Sequence, residues 1–168
     1  MNDSLLLRKK VFLDTEFTNL LDPVLISIGL AADSGETFCA EVPVDLALCM
    51  PFVREAVLPQ LGRNPLDATT WEALGRLVTT WLEIVKDAGH DIDICFDSQT
   101  DWDLMADVMD YRTPPWIHPQ NVAYQLVPAL QYAYLNGHGC SGHHALQDAL
   151  ANLYAYRDSP NMESKESQ

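Results

Sequence analysis

The stretch VFLDTEF, residues 11–17, constrains the fold of this chain more than any other part of it. Its first three residues are the apolar run of a buried β-strand, and Asp14 and Glu16 follow at alternate positions. Side chains two apart on a strand point to the same face, so the two carboxylates are expected side by side at the strand's end. Because buried like charges repel strongly, the pattern predicts a cation bound between them.

Composition limits the class of protein. The chain has 168 residues, 48% of them hydrophobic, which is enough for one compact domain. It has no apolar run of the roughly 18 residues that cross a membrane, and its opening MNDSLLLRKK has the wrong charge order for a secretory signal. Four cysteines form no CxxC pair, which favours reduced thiols in a cytoplasmic protein over a zinc ribbon or a redox motif. These are Cys39, Cys49, Cys95 and Cys140.

The formal net charge of −14 disfavours one mode of nucleic-acid binding. Proteins that hold a long duplex through its phosphates are basic on at least one face. This chain has ten lysines and arginines, and three of them stand together at residues 8–10. Binding of long duplex is therefore not expected, whereas the end of a polyanion could be attracted by bound metal or by helix N-termini.

The hydrophobic pattern predicts one α/β domain over residues 1–157, with the element order β-β-β-α-β-α-β-α-α and a mixed sheet. The first strands are expected at Val11–Phe17, Val24–Ala32 and Glu36–Val42. The turn sequence ADSG at residues 32–35 indicates that two of them pair antiparallel. The polar residues 158–168 are expected to form a disordered tail.

Helices dominate the rest of the chain. The first helical region is expected from Leu46 to about Lys86, interrupted near Pro59–Pro65 and ended by Gly89. The later elements expected are a strand at Asp91–Phe96, a helix at Trp102–Met109, a strand at Asn121–Leu126, and helices at Pro128–Leu135 and His144–Tyr156. The pattern thus contains five strands with flanking helices.

A second pair of acids begins the helix after the fourth expected strand. In the stretch QTDWDLM, Thr100 is a candidate N-cap, and Asp103 three residues later completes a pattern like a capping box. Asp101 and Asp103 have two explanations: negative charge favoured at a helix N-terminus, or a further functional site.

Near the C-terminus, GHGCSGHHALQDAL joins a glycine-rich loop to a helix that carries Asp148. The expected core stripe of that helix is Leu146, Ala149, Leu150 and Leu153. Asp148 lies nearly opposite this stripe, on a face of alanines. It could be a solvated aspartate, but a face of alanines is also what close approach of the helix to a second element requires. The loop carries His138, Cys140, His143 and His144. Their crowding and the single cysteine disfavour a zinc site.

Together, DTE at the end of the first strand, an Asp that opens a helix after a later strand, and H-x4-D near the C-terminus resemble the DEDDh 3′–5′ exonucleases. That superfamily includes proofreading subunits, RNase T and oligoribonuclease. The resemblance covers about residues 11–156, and DTEFT with HHALQDAL is most similar to the small bacterial exoribonuclease branch. It implies an RNase H-like fold, with a mixed five-stranded sheet and flanking helices, in a single exonuclease domain.

The resemblance also implies a metal site. The family's four acids correspond to Asp14, Glu16, Asp101 and Asp148, and its catalytic histidine to His143. Two Mg²⁺ or Mn²⁺ ions are the implied cofactors, and hard cations of this kind prefer carboxylate oxygens. Asp14 would bridge both ions, with Glu16 and Asp148 on the side of the attacking water and Asp101 near the second ion.

Two of these assignments have alternatives. His144 shares a helix face with Asp148, but the family spacing selects His143, in the loop just before the helix, as the group that takes a proton from water. Asp101 is followed by the family's pattern of apolar residues. Asp97 stands where relatives carry a small polar residue, and it adds negative charge.

Residues Phe17, Thr18, Asn19 and Leu20 are the predicted substrate-binding stretch, because they follow the metal ligands directly and because relatives use this stretch to hold the terminal nucleotide. Phe17 is almost equally well placed for the core. The resemblance implies that the substrate is single-stranded RNA or a short 3′ overhang, and that the product is a nucleoside monophosphate.

Two other functions remain open from the sequence: a DNA-directed 3′–5′ exonuclease, and a non-catalytic nucleic-acid-binding module on the same fold. The stretch Asp14-x-Glu16-x-Thr18 resembles the DxDxT motif of haloacid-dehalogenase-type phosphatases only faintly, since its second acid differs and no matching lysine motif follows.

A homodimer is predicted partly because relatives form dimers and partly because one region is rich in aromatics and poor in charge. Its residues are Trp116, Tyr124, Tyr132, Tyr134 and Leu135. Each of them, taken singly, could equally belong to the core.

Overall fold

A five-stranded mixed sheet forms the centre of the computed structural model, which describes residues 8–86 and 90–158. The strands are β1 (Lys9–Phe17), β2 (Leu25–Ala32), β3 (Thr37–Glu41), β4 (Ile92–Phe96) and β5 (Ile117–Asn121). They lie in the order β3-β2-β1-β4-β5; β1 pairs antiparallel with β2 and parallel with β4, and β4 pairs parallel with β5. The expected hairpin joins β2 to β3. The predicted mixed five-stranded sheet is confirmed.

Helices cover both faces of this sheet. They are α1 (Pro51–Ala56), α2 (Trp71–Val85), α3 (Gln99–Val108), α4 (Pro128–Gly137) and α5 (Ala145–Ala155). Short 3₁₀ turns lie at Leu46–Leu48, Leu58–Gln60, Pro65–Asp67 and Ala123–Gln125. The long helical region predicted after Leu46 is broken where Pro59 and Pro65 remove backbone donors. None of the helices among the described residues has both the length and the apolar character of a membrane span.

The two faces of β1 serve different layers. Val11 and Leu13 belong to the main core together with buried residues of α2 and α3. Phe12 points to the other face, where its ring meets Tyr156, after α5, edge-on at 5.3 Å between centroids. Because side chains alternate along a strand, Asp14 and Glu16 lie on the same face as Phe12. Both carboxylates therefore face the layer that contains α5.

Helix α5 packs unusually close to the sheet at Gly29, which lies opposite Asp14 in the register of β1 and β2. A Cβ placed on Gly29 would lie 2.3 Å from the backbone carbon of Ala145. The residues that α5 buries are Ala145, Ala149, Ala151, Asn152 and Ala155. The predicted core stripe is confirmed at Ala149, which is fully buried. Leu146 and Leu150 are only half-buried, and Leu153 is half-buried and packs against the cluster that contains Phe12. Small side chains let α5 approach closely enough to bring Asp148 over β1.

The element boundaries differ from the sequence prediction most clearly at the fifth strand and at the start of α3. The fifth strand lies at Ile117–Asn121 and not at Asn121–Leu126, because pairing with β4 sets its position and an exposed edge strand tolerates Pro119. Helix α3 starts at Gln99 with Ser98 at its N-cap, so Thr100 lies inside the first turn. Helix α2 ends at Val85. The predicted stop at Gly89 and residues 159–168 of the predicted tail lie outside the described residues.

Candidate metal centre

Three carboxylates meet where β1 ends beneath α5. Oxygen atoms of Asp14, Glu16 and Asp148 lie within 4.8 Å of one another, close enough to bind one cation together. Asp14 and Glu16 come from alternate positions of β1, and Asp148 comes from the first turn of α5. The close contact between Gly29 and Ala145 is what brings α5, and with it Asp148, to the two strand residues.

A second group of three carboxylates shares Asp14 with the first. Oxygen atoms of Asp14, Asp97 and Asp101 also lie within 4.8 Å of one another. Asp97 follows β4 directly, and Asp101 lies in the first turn of α3. The backbone N–H and the hydroxyl of Thr15 both donate to Oδ1 of Asp101, at 3.1 and 2.6 Å. Asp101 is thereby held in place although it is almost fully buried.

The cluster is electrostatically strained in the absence of a cation. Burial, followed by repulsion from Asp148 and Asp101, raises the pKa of Glu16 to about 8. Burial and repulsion from the other carboxylates raise the pKa of Asp14 well above its usual range. Burial raises the pKa of Asp101 to about 6, against the opposing effect of its hydrogen bond from Thr15. Within residues 8–86 and 90–158, no ion pair joins the cluster to a lysine or arginine. Positive charge would therefore stabilise it.

His143 lies in the loop before α5, as the spacing predicts, and its side chain borders the cluster. Its backbone N–H donates to Oδ2 of Asp148 at 2.7 Å. The imidazole meets the ring of Phe52 edge-on, with 4.8 Å between centroids. His143 also lines the same cavity as Glu16. Its position, beside both a carboxylate group and an open space, suits a side chain that exchanges protons with a bound molecule.

His144 occupies a different position. It is the N-cap residue of α5, its backbone N–H lies 3.3 Å from Oδ2 of Asp148, and its Nδ1 is buried without a hydrogen-bond partner. Among the described residues, the groups of side chains that could hold a metal ion are the two carboxylate triples, and His138 and Cys140 belong to neither. The zinc alternative therefore has no support in the structure.

An apolar cavity of about 410 Å³ opens next to the cluster. Its walls come from the end of β1, from α1 and from the loop before α5. The lining residues are Glu16, Phe17, Asn19, Leu20, Met50, Phe52, Val53, Val57 and His143. Leu20 and Phe52 are more than half exposed, so the cavity is open to solvent on that side. A flat apolar group could enter it with one edge toward the carboxylates.

The predicted substrate-binding stretch divides into two parts. Phe17, Asn19 and Leu20 line the cavity, whereas Thr18 is fully buried and does not. The side chain of Thr18 accepts from the backbone N–H of Val24 and from the Asn19 amide, and so shapes the loop. The Asn19 amide is itself engaged: its oxygen accepts from two backbone N–H groups and its nitrogen donates within the loop.

The sequence offers Asp101 and Asp97 as alternatives, whereas the structure brings both to the cluster. The position of Asp97 follows from strand pairing. Strands β1 and β4 are parallel and Phe12 lies opposite Cys95, so Asp14 and Asp97, each two residues later in its chain segment, lie side by side. Phe52 and the other α1 residues in the cavity wall carried no comparable signal, since only the tertiary packing brings that segment to the end of β1.

No family model matches this chain, and no curated protein matches it. Among solved structures, this chain is similar to the nuclease domain of 3′hExo, which is described as a DEDDh family member bound to rAMP. The two are 14% identical, the match covers 95% of this chain and all of that domain, and the TM-score is 0.55. A 3′-exonuclease with a histone mRNA stem-loop (12% identity, 86% and 61% coverage, TM-score 0.47) and a full-length 3′-exonuclease (13%, 89% and 84%, 0.46) are more distant.

At 14% identity the first likeness shows the fold alone: this chain has the RNase H-like fold of a DEDDh nuclease domain. None of these three structures is described as a small bacterial exoribonuclease, so that finer placement stays a prediction.

Proposed function

We propose that this protein is a divalent-metal-dependent 3′–5′ exonuclease that removes nucleoside monophosphates from single-stranded RNA or short 3′ overhangs. The observation that carries this proposal is the convergence of two carboxylate triples with His143 beside an apolar cavity. The fold is that of a DEDDh nuclease domain, and the described example of that domain binds rAMP. Fold alone does not assign an activity, and the side chains of the cluster supply the chemical argument.

The residues fit two hard cations. Each triple offers three carboxylate oxygens, Asp14 belongs to both, and the mutual repulsion that raises their pKa values is relieved by positive charge. Asp14, Glu16 and Asp148 would hold one Mg²⁺ or Mn²⁺, and Asp14, Asp97 and Asp101 the other. When bound, such a pair of ions lowers the pKa of water and neutralises charge on the leaving oxygen of a phosphodiester.

His143 would accept the proton that the attacking water loses. An unprotonated ring nitrogen of imidazole can accept a proton and release it again, as a proton acceptor in hydrolysis must. The loop position of His143 leaves its side chain exposed at the cavity, while its backbone is bonded to Asp148. The backbone of the proton acceptor is therefore tied to a residue of the proposed metal site.

The cavity would hold the 3′-terminal base. Its walls are mainly aliphatic and aromatic, which suits contact with the faces of a base. Asn19 is the one amide side chain in the lining, and its hydrogen bonds go to its own loop and, at 3.5 Å, to the carbonyl oxygen of Leu48. The terminal base would thus be held by apolar contact and not recognised by its hydrogen-bonding edge, so a free 3′ end matters more than its sequence.

A single degradation assay tests this proposal. A 5′-labelled single-stranded RNA with a free 3′ end should be shortened stepwise in Mn²⁺, and the same RNA with a blocked 3′ end should persist. Asp14→Asn should abolish activity, because Asp14 belongs to both triples. Cleavage of a closed circle, or activity in excess EDTA, would overturn the proposal.

Two matched measurements separate the remaining functions. DNA of the same sequence should be tested in the same assay, because the proposed site includes no side chain that would distinguish RNA from DNA by contact with the 2′-hydroxyl. Equal rates on the two substrates would remove RNA preference from the proposal. Melting with and without Mn²⁺ addresses the non-catalytic alternative. A large Mn²⁺-induced rise in Tm without any hydrolysis would show a metal site and favour the non-catalytic alternative.

A further inference from the structure

Gln60 joins the α1 region to the loop that carries His143. It ends the 3₁₀ turn Leu58–Gln60, and its side chain is almost fully buried, with 7% exposed. Its amide nitrogen donates to the carbonyl oxygen of Gly142 at 2.6 Å and lies 3.1 Å from that of His143. A third contact, at 3.0 Å, goes to the carbonyl oxygen of Ala56. One buried amide therefore binds two consecutive carbonyl groups of a loop more than 80 residues away in sequence.

The loop needs such support. His143 has φ of 61° and Gly142 has φ of 78°, and this left-handed region is sterically unfavourable for a non-glycine residue such as His143. The carbonyl of Gly142 and the N–H of His143 belong to one peptide plane, and the carbonyl of His143 belongs to the next. Gln60 contacts both planes, and Asp148 binds the N–H of the first.

Holding both planes determines where the imidazole can go. Two fixed peptide planes set φ and ψ of the residue between them, and these angles set the direction of its Cα–Cβ bond. The ring then has few rotamers left, and the edge contact with Phe52, on α1, restricts them further. Both the α1 region and α5 therefore restrain His143.

We propose that Gln60 is a positioning residue for His143, which it holds in the orientation needed to take a proton from the attacking water. This inference rests on the proposed nuclease function. The alternative is that Gln60 merely satisfies buried carbonyl groups, as buried amides commonly do. The two roles differ in a measurable way: a structural amide affects stability alone, whereas a positioning residue affects kcat through His143.

The first test is Gln60→Met, which keeps the volume but removes the donor. It should lower kcat on a single-stranded RNA by roughly 10- to 100-fold, as expected when a proton acceptor is misplaced by about 1 Å. The KM should change little, because Gln60 does not touch the substrate. The Mn²⁺-induced rise in Tm should stay as large as in the wild type, because all five carboxylates remain. The inference would be overturned if Gln60→Met had the same kcat as the wild type at a temperature well below the melting temperature of the variant.

The second test places the same substitution on a His143→Ala background. If Gln60 acts through His143, then Gln60→Met should cause no further loss there, whereas independent effects would multiply. Gln131→Met is the matched control, since the Gln131 amide donates to Asn152 on α5, away from the loop, at 2.6 Å. It should lower Tm and leave kcat unchanged. Multiplying losses in the double variant, or an equal loss of kcat in the control, would contradict the positioning role.

A variant that fails to fold does not end the test. Gln60→Asn keeps a polar amide in the same buried place but is one methylene shorter, so it cannot reach the loop carbonyls. Gln60→Asn should lower kcat as much as Gln60→Met does in the wild-type background. In the His143→Ala background it should cause no further loss of kcat. If the wild-type protein itself hydrolyses no RNA or DNA in Mn²⁺, the proposed function has failed. If the wild type is active and Gln60→Asn matches its kcat, only the inference on Gln60 has failed.

Discussion

The backbone N–H of His143 donates a 2.7 Å hydrogen bond to Oδ2 of Asp148. One carboxylate thus holds the proposed proton acceptor through one oxygen and still belongs to a group that can bind a cation. Under the proposed function, binding of metal and placement of the histidine would therefore be coupled at Asp148. Substitutions that separate charge from hydrogen bonding can show how much each contributes.

Asp148→Asn separates these two roles, because its amide oxygen still accepts the N–H of His143 but carries no charge. Metal-free Tm at pH 8 should rise, since burial already raises the pKa of Asp148 and favours its neutral form. The Mn²⁺-induced rise in Tm should shrink, and hydrolysis should fall at least 100-fold. Asp103→Asn, on the exposed side of α3, is the control and should behave as wild type. An undiminished response to Mn²⁺ in Asp148→Asn would exclude Asp148 as a ligand.

Stability of the metal-free protein should fall as pH rises from about 5 to 8. Glu16 has an ordinary pKa of 4.5 in the unfolded chain, and burial with neighbouring carboxylates raises it to about 8 in the fold. Between these values the folded state keeps a proton that the unfolded state has lost, so raising the pH favours unfolding. Asp101, with a folded pKa of about 6, adds to the lower part of this range.

Thermal melts in EDTA at several pH values measure this dependence. Glu16→Gln should flatten it, which distinguishes Glu16 from general repulsion in a chain of net charge −14. In saturating Mn²⁺ the wild-type curve should also flatten or reverse, because metal binding requires deprotonated ligands. A metal-free Tm that rises steadily from pH 5 to 8 would contradict the raised pKa of Glu16.

Gly29→Ala should destabilise the protein and disturb the metal centre together. Its new Cβ would lie 2.3 Å from backbone atoms of Ala145, so α5 must move away from β2. We expect a loss of about 1–3 kcal/mol in the free energy of unfolding and a weaker Mn²⁺-induced rise in Tm. Gly137→Ala is the control: nothing lies near its Cβ, and it should be neutral or slightly stabilising. Equal melting of the two variants would argue against the close packing of α5.

Leu20→Ala should weaken substrate binding far more than it weakens the fold. Leu20 lines the cavity but is 75% exposed, so most of its burial would come from bound substrate. We expect KM to rise about tenfold, because the shorter side chain buries less apolar surface against the substrate, with Tm nearly unchanged. Leu21→Ala is the matched control, since Leu21 is its 98% exposed neighbour and lies outside the cavity. A fall in Tm without a change in KM would assign Leu20 to the core.

The homodimer stays a prediction, which sedimentation at micromolar concentration can test. Of the residues named for the interface, Tyr124 and Tyr132 are largely exposed, at 89% and 71%, while Trp116 packs against the core. We expect a species of twice the 18.8 kDa chain mass, and Tyr132→Asp should shift it toward monomer. Tyr111→Asp, at an exposed site after α3, should leave it unchanged. A fully active species at the chain mass would show that the monomer suffices.

Local sequence was enough to predict part of the geometry of the candidate metal centre. The alternation of Asp14 and Glu16 on β1, and the loop position of His143 before α5, depend on geometry within a few residues. The antiparallel β2–β3 hairpin has the same origin, since its turn sequence lies between the two strands. Such features follow from backbone geometry, and distant parts of the chain change them little.

Tertiary packing decided everything that depends on which segments become neighbours. The leucines of α5 looked like its core face, yet the alanines are buried, because Gly29 on β2 leaves room for the helix backbone itself. Asp97 joins the cluster because β4 lies parallel beside β1, and Gln60 reaches the His143 loop across 83 residues of chain. The sequence by itself determined the chemical groups and their local directions. Only the folded packing, in which many distant contacts are satisfied at once, determined which of those groups meet.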